Sequence, residues 1–145
     1  MRVLIAVASA AAVVLAACSS GTGPVAARTI TIEMREFGYS PPTIKLVPGE
    51  RVTFSFKNLG AVEHEFMAGR EATMGKGYGQ DWLALAKVEQ GGGHDMGHAG
   101  TGVRVAPKGN VSVSLVVPAE KGEFEFGCFV PGHYELGMKG KLVVE

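Results

Sequence analysis

Three side chains with metal-binding chemistry stand at even intervals late in this 145-residue sequence: Cys128, His133 and Met138, with four residues in each gap. A thiolate, an imidazole and a thioether are soft or borderline ligands, the set that suits copper passing between its two oxidation states. A blue-copper centre uses two imidazoles and one thiolate in a near-trigonal plane, with a weak, long axial thioether. The loop supplies three of these four, so the second imidazole has to come from elsewhere, and His64 is the candidate. Taken singly, a cysteine is more often a small buried hydrophobe and a methionine core filler. Their order and spacing, just before the apolar run Gly140-Lys-Leu-Val-Val144, favour a site.

The elements that must hold these residues read as strands. Ile30, Ile32 and Met34 alternate with Thr31, Glu33 and Arg35, the period-two mark of a half-buried strand. Thr43–Val47 is a second short strand, and Arg51–Lys57 a third with Val52, Phe54 and Phe56 inward. Val62, His64 and Phe66 share a parity, which puts His64 on an apolar face. Thr101–Ala106 and Asn110–Val117 follow, the latter with Val111, Val113, Leu115 and Val117 in phase. Phe124, Phe126 and Cys128 also share a parity, so the thiol points inward from the end of a core strand. Leu142 and Val144 face in on the last strand. About eight strands separated by Gly, Pro and Asn turns predict an all-β, two-sheet Greek-key sandwich. His64 and Cys128 are expected at the same end of it.

The motif Cys-x4-His-x4-Met, followed by Gly-Lys-Leu-Val-Val, resembles the copper loop and last strand of a cupredoxin. The spacing is nearer to the rusticyanin and sulfocyanin branch than to plastocyanin. The resemblance spans roughly Thr29 to Glu145 and is poor between about Gly69 and Gly102. It implies one type 1 copper, cycling between Cu(I) and Cu(II), held by His64, Cys128, His133 and axial Met138. It also implies that His133 is the port for electrons, within an apolar rim drawn from Phe129, Val130, Pro131, Tyr134 and Leu136. Glu65 departs from the pattern, since many cupredoxins carry Asn or Ser there. A carboxylate beside the metal would stabilise the oxidised ion and lower the potential.

Residues 70–101 read as an insertion. Gln80 or Asp81 caps a predicted short helix, Trp82–Gln90, with Trp82, Leu85 and Val88 on one face. A glycine-rich stretch follows, carrying His94, Met96 and His98. These three could bind a second copper or another soft ion weakly, although a solvated loop is the plainer reading.

The bulk composition narrows the function. Fourteen basic and fourteen acidic residues balance, which argues against nucleic acid as partner. Met1-Arg2 and the apolar run Val3–Ala17 are too short for a membrane span of about 20 residues and fit a signal peptide. Leu15-Ala-Ala-Cys18 resembles a bacterial lipobox, so residues 1–17 are expected to be removed and Cys18 lipidated. Residues 18–27 then form a flexible tether to a cupredoxin domain at 28–145. Each of the two cysteines is claimed by its own motif, so no Cys18–Cys128 disulfide is expected.

The expected protein is a monomeric, lipid-anchored electron carrier, not an enzyme. It would work in the cell envelope, outside the cytoplasm, with redox partners such as a c-type cytochrome or a terminal oxidase. The alternative is a copper protein for tolerance, buffering or delivery to a cuproenzyme, which the methionines and the His94–His98 stretch favour.

Overall fold

The computed structural model describes residues 27–91 and 101–145. Strand β1 (Arg28–Arg35) turns through Glu36 and Phe37 into β2 (Gly38–Ser40), and β3 (Thr43–Leu46) and β4 (Arg51–Asn58) follow. The long β5 (His64–Thr73) folds back as β6 (Gly77–Asp81), which runs into a single helical turn, α1 (Trp82–Leu85). Then come β7 (Lys87–Gly91), β8 (Val103–Val105), β9 (Asn110–Val116), β10 (Gly122–Gly127) and β11 (Lys139–Val144).

Two sheets result. One has the order β2-β1-β4-β9-β7; the other has the order β3-β11-β10-β5-β6, with β8 alongside the start of β5. Most pairs are antiparallel, but β1 runs parallel to β4 and β11 parallel to β3. The chain crosses repeatedly between the sheets, which is the expected two-sheet sandwich.

The alternation read from the sequence sets the inner faces. Ile32 and Met34 of β1, Val52, Phe54 and Phe56 of β4, and Leu115 of β9 are buried against Phe126 of β10 and Leu142 of β11. Phe66 lies at the centre, its ring 5.0 Å from that of Phe56 and 5.1 Å from that of Phe126. Burying each such side chain is worth about 1.5–3 kcal/mol, so this cluster dominates the packing that fixes the ends of β5 and β10.

Among the described residues eleven strands form where about eight were expected. The additions are β2, β6 and β7. β2 comes from a segment read as a turn: Glu33, Met34 and Arg35 pair with Ser40, Tyr39 and Gly38. The predicted helix Trp82–Gln90 is corrected to one turn. Asp81 caps it, accepting from the Ala84 N–H at 3.1 Å, but Ala86 is already extended and residues 87–91 pair with β9. Nine residues make a marginal helix, whereas the open edge of β9 offers them a ladder of backbone hydrogen bonds. Leu85 and Val88, placed on one helical face with Trp82 by the sequence, are exposed, whereas Trp82 is buried. Val62 is also corrected: it precedes β5, in the bend that leads to His64, and is 43% exposed.

Candidate metal centre

His64 opens β5 and Cys128 follows directly on β10, so the sandwich carries both to one end. Both are fully buried, and His133 is 8% exposed. The two His Nδ1 atoms lie 3.2 Å apart, and Cys128 Sγ is 3.4 Å from His133 Nδ1. One donor atom from each of the three residues falls within 4.8 Å of the others. Metal–imidazole bonds are about 2.0–2.1 Å and metal–thiolate bonds about 2.3 Å, so atoms this close can share one ion. The donor set, two nitrogens and a sulfur in a dry pocket, is what copper prefers.

The protonation states suit that ion unequally. Burial pushes the Cys128 thiol up to about 11, against the opposing pull of the Glu65 and Val130 N–H groups. Copper therefore displaces a proton when it binds there. His64 is held below the usual imidazole range, first by burial and then by the neighbouring His133, with Glu36 opposing. It is neutral at physiological pH, with a nitrogen lone pair free to bind metal.

Backbone turns shape the Cys128–Met138 loop. The Cys128 N–H donates to the Met138 carbonyl at 3.1 Å, and the Met138 N–H donates to the His133 carbonyl at 2.9 Å. The His133 N–H donates to Val130 at 3.0 Å, across a turn in which Gly132 takes φ +84°. A side chain at 132 would strain that turn, which sets where His133 starts. The Met138 side chain is fully buried in the same core as Cys128. Sequence reasoning missed the anchors of this loop. The ring of Tyr134 stacks on Phe129 at 4.9 Å, and the Tyr134 and Tyr78 hydroxyls both donate to Glu125 Oε1.

Asn58, the residue after the expected strand Arg51–Lys57, was also missed. It is buried, its Nδ2 donates to the carbonyls of Val62 (2.7 Å) and Val105 (2.8 Å), and its Oδ1 accepts from the Gly60 N–H. It thereby pins the bend before His64 to β8. A polar residue closing an apolar strand just upstream of a candidate ligand was the available signal.

Glu65 contributes its backbone first: its N–H donates to Cys128 Sγ at 3.3 Å. Its carbonyl accepts from the buried Tyr39 hydroxyl, and its carboxylate accepts from Arg104 Nε and Nη2, both at 2.9 Å. The residue is held from three directions, and the charge that the sequence placed beside the metal meets a guanidinium.

The expected apolar rim changes membership. Phe129 is buried, and Val130 and Tyr134 are partly covered; Pro131 and Leu136 are exposed as foreseen. Exposed Phe37 joins them from another loop, its ring edge-on to His133 at 5.7 Å. Cys18, residues 1–17 and His94, Met96 and His98 lie outside the described residues. Cys128 is a free thiol. Among the described residues, no helix is long and apolar enough to cross a membrane.

The sequence matches the family described as a cupredoxin-like domain over residues 7–74, a stretch that includes His64 and stops short of the Cys128 loop. It is 39% identical over 127 residues to the copper-resistant cuproprotein CopI of Rubrivivax gelatinosus, covering 86% of this chain and 70% of that one. It is 33% identical over 164 aligned residues to auracyanin-A of Chloroflexus aurantiacus, covering 97% and 94%. The auracyanin B structure shares the fold with a TM-score of 0.59 at 20% identity, covering 82% of this chain and 89% of that one. The chain belongs to the cupredoxin family. Its cofactor is one copper ion.

Proposed function

We propose that this protein carries single electrons through a type 1 copper site that His64, Cys128, His133 and Met138 would hold. The observation that carries this reading is the convergence of two buried imidazole nitrogens and a buried thiol within 4.8 Å. When bound, copper supplies the one-electron couple; the chain supplies a fixed cage that holds the same ligands in both oxidation states. His133 is the ligand nearest the surface, with the exposed Phe37 ring edge-on to it and exposed Pro131 and Leu136 in the same loop, and serves as the electron port. A small apolar rim suits the brief, low-area contacts of redox encounters, here with a partner such as a c-type cytochrome or a terminal oxidase. On this reading the chain is a monomer and not an enzyme. It is held at the outer side of a cytoplasmic membrane, or at an outer membrane, by lipid on Cys18, with residues 18–27 as its tether.

A second reading has specific support. Two relatives are named copper-resistant cuproproteins, at 39% and 29% identity. Copper tolerance or delivery would use the same cage to hold the ion rather than to pass electrons.

The test is the optical and EPR spectrum of the Cu(II)-loaded protein beside Cys128→Ser, with copper counted and electron exchange with a cytochrome timed. One copper, an intense visible thiolate-to-copper band that Cys128→Ser abolishes, and rapid exchange are expected. A colourless protein with metal still bound would refute the site. A coloured protein that exchanges electrons slowly and surrenders copper to an acceptor would establish the tolerance reading.

A further inference from the structure

An imidazole that binds metal through one nitrogen carries its proton on the other, and what accepts that proton fixes the ring's orientation. His64 faces the cluster through Nδ1, 3.2 Å from its counterpart on His133. Its Nε2 is buried and has no hydrogen-bond partner. A buried N–H without an acceptor costs about 1–3 kcal/mol, so the nearest polar group matters.

The polar group that the structure brings to this side of the ring is the carboxylate of Glu36, whose charge acts on His64. A Cβ built on Gly60 would lie 2.6 Å from Glu36 Oε1 and 2.7 Å from His64 Nε2. The carboxylate and the ring nitrogen thus flank one α-carbon that has no side chain to separate them, close enough for a direct bond after a small shift or for one bridging water. Two further contacts hold Glu36 in place. Its Oε1 accepts from the Ala61 N–H, the residue after that glycine. The next residue, Phe37, takes φ +66°, in the left-handed region, and sets its ring edge-on to His133. A bulky residue held there departs from ordinary backbone preference. The β1–β2 turn therefore lies beside both imidazoles, Glu36 at His64 and Phe37 at His133.

We propose that Glu36 is a positioning residue for His64: its carboxylate accepts the Nε2 proton, directly or through one bridging water, and so aims Nδ1 at the metal. A carboxylate-to-histidine bond also makes the ring a better donor. Exposure leaves Glu36 open to solvent, and the Ala61 N–H is what keeps the carboxylate over the ring. The proposal rests on the reading of His64 as a copper ligand.

The experiment compares the copper-loaded protein with Glu36→Ala, Glu36→Gln and His64→Ala. Glu36→Ala is expected to weaken copper affinity about 10- to 100-fold, read by competition with a chelator, and to change the copper hyperfine splitting. Glu36→Gln keeps an acceptor oxygen and is expected to restore the splitting and most of the affinity. In the unmodified Cu(I) protein, NMR should show a slowly exchanging proton on His64 Nε2, a measurement that needs no variant to fold. If Glu36→Ala binds copper within twofold of the unmodified protein with unchanged splitting, while His64→Ala loses both, the positioning role is wrong and the ligand assignment stands. If His64→Ala also keeps both, the ligand assignment fails and the proposal falls with it.

Discussion

The two halves of the proposed metal centre are built by different means. The half around His64 is borne on a strand. His64 is fully buried at the start of β5, the preceding bend is pinned by Asn58, and the following peptide is held by Tyr39 and Arg104. The half around Cys128, His133 and Met138 is borne on a loop knitted by its own turns, and it reaches the surface at His133. The strand half presents a nitrogen that is already neutral; the loop half presents a thiol that must first lose a proton. A fixed wall and a door side by side are what reversible traffic across a protein surface requires. The wall keeps the geometry constant, and the door sets access.

The sharpest way to break this comparison is to cut a hole in each half. His133→Gly should lose the visible band and regain it when free imidazole is added, because the gap opens near solvent. His64→Gly should lose the band and not regain it, because its gap is sealed. Equal rescue of both, read by visible absorption, would erase the distinction.

Proton release is the next largest effect. Binding should displace about one proton from Cys128 and none from His64, so copper affinity should rise about tenfold per pH unit between pH 7 and 9. Chelator competition across that range checks it; a flat profile would mean that the thiol is ionised before metal arrives.

Asn58→Ala removes three hydrogen bonds from the wall and is expected to destabilise the copper-free protein by about 2–3 kcal/mol, measured by denaturant unfolding. It should also broaden the copper EPR signal. A narrow, unchanged signal would show that the bend does not position His64.

The smallest effect concerns Glu65. Arg104→Gln removes the guanidinium and should lower the reduction potential, since the carboxylate then acts more fully on the oxidised ion. Glu65→Gln should move the potential upward, and by more, because the Glu65 charge is the one that acts on Cys128. Voltammetry of the pair checks the order.

The loop half was legible in the sequence. Cys128, His133 and Met138 declare themselves by chemistry and spacing, and the period-two runs through Phe54, Phe56, Phe124 and Phe126 give the sandwich. His64 was readable once the loop demanded a second imidazole. Its supports were not. Asn58, Tyr39 and Arg104 act through hydrogen bonds between residues 26 to 47 positions apart, which no local pattern encodes. The region after Gly69 misled for the opposite reason. Residues 82–90 carry a helical rhythm of apolar side chains, but a vacant neighbouring edge outweighed it. Glu65 was assigned a role through its side chain, whereas its amide is the group that touches the sulfur.

The parallel pairing of β11 with β3 bears on the order of assembly in the cell. β11 lies between β3 and β10, and the ribosome makes it after both. Until that strand emerges and slots into the gap, the far stem of the ligand loop has nowhere to rest, and the Met138 carbonyl cannot meet the Cys128 amide. A nascent chain with β10 already exposed therefore has no finished cage to offer. On the proposed site, the full cage is therefore expected only once β11 has been made and has joined the sheet.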